Sequence, residues 1–121
     1  MKYESTLTIS SKVMEGVRFT IARMSFGRRI ELTRRIRDLV RKMEFLEAGD
    51  GIEDKVEATL LANQIEKLYL EWGLKRIEGL EIDDAEAGLE TLITNGPEAL
   101  SREIVSAIKS ECGLSEEERK N

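Results

Sequence analysis

The sequence predicts a mostly α fold: a small helical domain of about four helices with an N-terminal β-hairpin. Three observations predict it. Apolar residues alternate with polar ones between Leu7 and Ile21. They recur in steps of three and four over two long stretches after Ser25. Gly and Pro punctuate the chain at 49–51, 73, 96–97 and 113.

Leu7 and Ile9 alternate with polar neighbours, and Val13 continues the same odd-numbered face. Met14-Glu15-Gly16 supplies a turn. Val17, Phe19 and Ile21 then alternate with Arg18 and Thr20. Two period-2 runs around a Gly-containing connection read as a hairpin over residues 1–24. Ser25 has the side chain to cap a helix from Phe26 to about Glu47, with Ile30, Leu32, Ile36, Leu39, Val40, Met43 and Leu46 as its apolar residues. Gly49-Asp50-Gly51 ends it. A second helix runs from about Ile52 to Trp72 on a stripe of Val56, Leu60, Leu61, Ile65, Leu68 and Trp72. Glu53 and Asp54 stand at its start, where carboxylates suit the helix dipole. The short connection predicts that these two helices pack as an antiparallel pair.

Residues 74–83 read as a strand or extended segment, with Leu80 and Ile82 alternating and Gly79 interrupting. A third helix is expected over about Asp84–Thr94. A fourth is opened by Pro97 in its first turn and runs to about Cys112. Ser115 and Glu118 have capping-box spacing, in a short C-terminal tail over 114–121. The chain thus reads as a single domain, with a helical body over 25–113 packed around Leu39, Val40, Leu60, Leu61, Leu68, Trp72, Leu92, Leu100 and Ile104.

Composition bounds function. The chain has 121 residues, enough for one hydrophobic core without disulfides or metals. One cysteine, Cys112, makes no internal disulfide, and no apolar run approaches the length of a membrane span. The N-terminus lacks the apolar stretch of a signal peptide, so a cytoplasmic protein with no membrane association is expected. There is no histidine, which removes the commonest general base and the Ser-His-Asp and Cys-His arrangements. No phosphate-binding glycine motif occurs, and the acids after Asp50 miss the EF-hand spacing. Glu78, Glu81, Asp83, Asp84 and Glu86 read as a solvated acidic surface, and Cys112 as a small buried hydrophobe. The expectation is a protein that holds others, with no enzymatic activity and no cofactor.

Charge is unevenly placed. Residues 1–42 carry a net +7 and residues 43–121 a net −12, for −5 overall. The first helix presents Arg28, Arg29, Arg34, Arg35, Arg37, Arg41 and Lys42, a candidate protein-binding face. The rival reading is a small nucleic-acid-binding regulator using these same residues to track phosphates. The acidic balance, with a pI near 5.0, argues against it.

Several stretches together carry a family resemblance. They are Glu15-Gly16-Val17 with Arg23-Met24-Ser25, then Tyr69-Leu70-Glu71-Trp72-Gly73-Leu74-Lys75, then Gly79-Leu80-Glu81-Ile82-Asp83. Gly96-Pro97-Glu98-Ala99-Leu100 and the ending Leu114-Ser115-Glu116-Glu117-Glu118-Arg119-Lys120-Asn121 complete the set. In order and spacing the chain resembles the tail assembly chaperones of long-tailed bacteriophages and prophages. One departure is Asp83-Asp84, where a glycine is expected after the first aspartate. The resemblance implies a protein of the bacterial host cytoplasm, absent from the finished virion. It implies that the chain coats the hydrophobic tape measure protein before the tail tube polymerises and contacts the tail tube protein. The family has no catalytic motif to carry over. A homo-oligomer is expected, since a coat on a long partner needs many copies.

Overall fold

A computed structural model describes residues 1–113. Among the described residues the order is β1 (Thr6–Ser10), β2 (Arg18–Ala22), α1 (Phe26–Glu47), α2 (Ile52–Gly73), β3 (Leu74–Glu78), β4 (Glu81–Ile82), β5 (Ala85–Glu86), α3 (Leu89–Asn95) and α4 (Glu98–Glu111). The fold is the mostly α class expected, with four helices and the N-terminal antiparallel hairpin. No helix among these residues is long and apolar enough to cross a membrane. The expected capping box at Ser115 and the final stretch of the resemblance lie outside the described residues. The chain divides into two compact units: Met1–Met24 with Tyr69–Asn121, and Ser25–Leu68.

The first unit is built on a three-stranded antiparallel sheet in the order β1-β2-β3. β3 pairs with β2, so the first half of the extended segment expected at 74–83 joins the hairpin as a third strand, while Glu81–Ile82 pairs with β5 in a separate two-stranded sheet. The central strand β2 is covered on both faces: Phe19, Thr20, Ile21 and Ala22 are all buried. The Thr20 hydroxyl, on the polar side of the alternation, shares a hydrogen bond of 2.8 Å with that of Thr8. Leu92 of α3 and Leu100, Ile104 and Ile108 of α4 complete the core, each at most 1% exposed. The last turn of α2 lies against α4. A Cβ on Gly73 would stand 2.9 Å from the Ile108 side chain, so only glycine fits without displacing it.

Val13 leaves the strand. It sits, half exposed, in the connection 11–17 between β1 and β2, which is organised by one side chain of α4. The Ser11 hydroxyl donates to Glu103 Oε1 at 2.6 Å, and the Lys12 N–H donates to Oε2 at 2.7 Å. Ser11 Oγ in turn accepts from the N–H groups of Val13 and Met14. A carboxylate accepting two such bonds contributes more than a neutral acceptor, about 1.5–3 kcal/mol per bond when neither is replaced by water. These partners are partly exposed, which places the expected cost of Glu103→Ala at about 2 kcal/mol in urea unfolding. Glu103→Gln, which keeps one acceptor oxygen, should cost about half as much.

The third helix starts at Leu89, not at Asp84. Asp83 and Asp84 instead form a two-residue turn between β4 and β5, with φ of 52° and 67°. Positive φ at both central residues is the geometry of a hairpin turn, usually Asn-Gly or Asp-Gly, and aspartate is among the few other residues that tolerate it. Gly88 then precedes α3, its N–H bonded to Thr91 Oγ1 at 2.9 Å. α4 follows Pro97 and ends at Cys112, which is buried, with Gly113 in the left-handed conformation beyond it.

The second unit contains α1 and most of α2. Ser25 caps α1 as expected, accepting from the Arg28 N–H at 3.2 Å. Each of the two helices turns one side inward within this compact unit. Leu32 is the one fully buried residue of α1, while Leu39, Val40 and, on α2, Leu68 are half-buried. Leu61 and Trp72 of the expected core are buried, whereas Leu60 is 51% exposed. Adjacent helical residues point about 100° apart, so Leu60 and Leu61 cannot share the centre of one stripe. Ala58, Leu61 and Ile65 take the covered side.

Candidate protein-binding face

The seven basic residues expected to form one face all lie on α1, and the helix distributes them over more than one direction. At about 100° per residue, Arg34, Arg37 and Arg41 project opposite the buried Leu32. Arg28 and Arg35 lie toward the Leu32 side, with Lys42 beside them and Arg29 on the other flank. Arg28 is half-buried, and the remaining six are exposed. Arg35 pairs with Glu31 at 3.9 Å one turn earlier, and Arg37 with the adjacent Asp38 at 3.6 Å. Such exposed pairs contribute only about 0–1 kcal/mol and yield readily to a partner's carboxylate. Arg34, Arg41 and Lys42 show no ion pair within 4.0 Å among the described residues.

The Arg34–Arg37–Arg41 ridge is flanked in line by apolar residues. Ile30 precedes it by one turn and Phe45 follows by one turn, 45% and 80% exposed. Phe26, 87% exposed, stands one further turn back. The spacing 30-34-37-41-45 advances in steps of four and three, which keeps these residues on one side of the helix. On α2 a second apolar line, Ile52, Val56 and Leu60, faces away from the covered Ala58-Leu61-Ile65 side and is more than half exposed at each position.

These apolar residues are what sequence reasoning missed. Ile30, Val56 and Leu60 read as parts of buried stripes, yet Ile30 and Leu32 lie about 160° apart on a helix. The signal was present in the spacing: each helix carries two apolar lines, and one small unit covers only one of them.

The first unit carries a different concavity, a cleft of ≈ 890 Å³ beside β3, bordered by Leu80, Glu81, Glu86 and Leu89. Two of the charged residues that line it, Arg76 and Glu78, are paired with each other. Glu78 accepts from Arg18 at 2.8 Å and lies 2.9 Å from Arg76. Among the described residues no three His, Cys, Asp or Glu side chains cluster as metal ligands do. Asp83 and Asp84 are exposed at the hairpin tip, and Glu81 faces Glu86 across it.

Comparison with protein-family models, with curated proteins and with solved structures finds no match. The functional reading therefore rests on the geometry of the helices and on the residues that carry the resemblance.

Proposed function

We propose that this chain is a tail assembly chaperone. On this reading it holds the tape measure protein of a long-tailed phage in soluble form in the host cytoplasm, recruits the tail tube protein, and leaves before the virion is complete. The observation that carries the reading is the exposed line Ile30-Arg34-Arg37-Arg41-Phe45 on a helix of 22 residues. At 1.5 Å per residue that helix is about 33 Å long. An amphipathic partner helix with acidic flanks fits such a seam. Its apolar side chains rest on Ile30 and Phe45, and its carboxylates take the guanidinium groups, bidentately where the geometry allows. Covering the partner's apolar stripe removes the surface through which it aggregates. The process is binding alone, with no bond made or broken.

Co-expression with the tape measure protein encoded nearby tests this. The wild-type chain is expected to keep that protein in the soluble fraction and to elute with it. The triple variant R34E/R37E/R41E, still helical by circular dichroism, is expected to lose the complex. A tape measure protein that stays insoluble with the wild-type chain would overturn the reading. Retention on duplex DNA that falls steeply with salt and vanishes in the triple variant would assign the ridge to phosphates instead.

A further inference from the structure

β3 is an outer strand of the three-stranded sheet, and the cleft of ≈ 890 Å³ runs beside it. Residues 74–79 all border that cleft, one after another. Successive side chains of a strand point to opposite faces, so an unbroken run borders one space only through its backbone edge. β2 occupies the other edge. The hydrogen-bond phase of the sheet decides which groups face outward. The Ser11 N–H donates to the Val17 carbonyl and the Arg23 N–H to that of Ser5, so the odd-numbered residues along β2 bond to β1. The even-numbered Arg18 and Thr20 therefore bond to their partners on β3, Glu78 and Arg76. Ile77, between those two, turns its N–H and C=O away from β2 and into the cleft. The turn and loop hydrogen bonds among the described residues include none to either group. The geometry points to β-strand addition at this edge: an extended segment of a partner protein pairs with β3 as a fourth strand.

Size, direction and charge define the occupant. An added strand is about 4.8 Å by 10 Å in section and advances about 3.4 Å per residue, so this volume holds about five or six residues. β3 itself has five. Residues 86–89 border the same cleft and leave room for one strand, so the sheet of a second copy does not enter. Antiparallel addition continues the order of the sheet and puts the N-terminal end of the segment beside Glu78. At that end Glu81 and Glu86 stand directly opposite each other on β4 and β5, both exposed and without an ion pair among the described residues. Like charges so placed repel, and a Lys or Arg at the start of the segment relieves them. Apolar side chains at alternate positions cover the half-buried Leu80 and Leu89. The partner is therefore an extended segment with alternating apolar residues and a basic N-terminal end. The site lies in the first unit, whereas the tail-chaperone reading uses α1, so either can fail without the other.

Fluorescence anisotropy with the full chain tests the pairing. The probe is an N-acetylated peptide, Lys-Lys-Val-Thr-Val-Thr-Val, labelled with fluorescein at its C-terminus. One control begins with Glu-Glu instead. Two more are N-methylated at alternate residues, each stripping the N–H groups from one edge of the peptide. The lysine peptide is expected to bind at least about tenfold more tightly than the glutamate peptide. One N-methylated peptide should lose binding and the other keep it, since only one edge meets β3. E81K/E86K, changed at two exposed positions, is expected to reverse the preference in favour of the glutamate peptide. Exchange of the Ile77 amide hydrogen should slow at least about tenfold in the saturated complex. Ile77→Pro removes that outward N–H without touching the bonds to β2, and it should abolish binding at unchanged circular dichroism. Should Ile77→Pro lose its fold, the E81K/E86K reversal and the Ile77 exchange decide. No binding of the lysine peptide up to about 1 mM would overturn the proposal. So would equal binding of both N-methylated peptides, an unreversed preference in E81K/E86K, or a complex in which Ile77 exchanges as in the free chain.

Discussion

Trp72→Ala is expected to destabilise the first unit by about 3–5 kcal/mol, the range for removing a large aromatic side chain from a packed core. Trp72 is 4% exposed and belongs to the last turn of α2. The next residue, Gly73, abuts Ile108 of α4 so closely that a methyl group does not fit. The surroundings therefore have little freedom to collapse into the space an alanine leaves, which puts the cost toward the upper part of the range. Set against a typical total stability of about 5–15 kcal/mol, the loss is a large share. It should lower the urea midpoint by about 2 M at an ordinary slope for a small domain. Phe45→Ala is the matched comparison. It also removes an aromatic ring from a helix, but from a site 80% exposed, and the monomer should lose no more than about 0.5 kcal/mol. Equal losses at the two positions would mean that Phe45 is covered in the isolated chain.

That contrast shows how far the sequence could be read. Helix ends were legible because local chemistry writes them. Ser25 caps α1, Gly49-Asp50-Gly51 separates the long helices, and Pro97 and Gly113 bracket α4. Whether an apolar helical residue faces a core was less legible, since period alone does not count how many faces are covered. α1 and α2 carry two apolar lines each, and a stripe drawn from period alone merges them and places Ile30, Val56 and Leu60 inside, where all three are exposed. The candidate basic face was legible as composition and misjudged as a single surface. Seven basic residues over 15 positions of a helix must spread around it, and only Arg34, Arg37 and Arg41 stack opposite Leu32. The start of α3 was displaced by a hairpin too short to leave a pattern. β4 and β5 are two residues each, and their Asp83-Asp84 turn lacks the glycine that ordinarily marks such a site. The pairing of β3 with β2 spans more than fifty residues of chain, and no local signal reports it.

Gly79→Ala is expected to cost about 3 kcal/mol or more, through two separable effects. Gly79 has φ of +83°, a left-handed conformation that costs an L-residue about 1–2 kcal/mol. It also immediately follows Glu78, whose strand partner is Arg18, so it approaches the residues that lead into β2. A Cβ there would drive into the carbonyl oxygen of Gly16 and stand 3.2 Å from its carbonyl carbon. Backbone cannot rotate aside as a side chain can, so relief requires moving the β2–β3 pairing itself. Gly16 separates the two effects. Its φ is +86°, nearly the same, but a Cβ at Gly16 has nothing within 4 Å. Gly16→Ala should therefore cost only the conformational part, about 1–2 kcal/mol. Urea unfolding of the two variants side by side measures the difference, which is the cost of the close approach alone. Equal losses would show that the end of β3 yields without penalty, and that the Gly16–Gly79 contact does not hold the third strand on the hairpin.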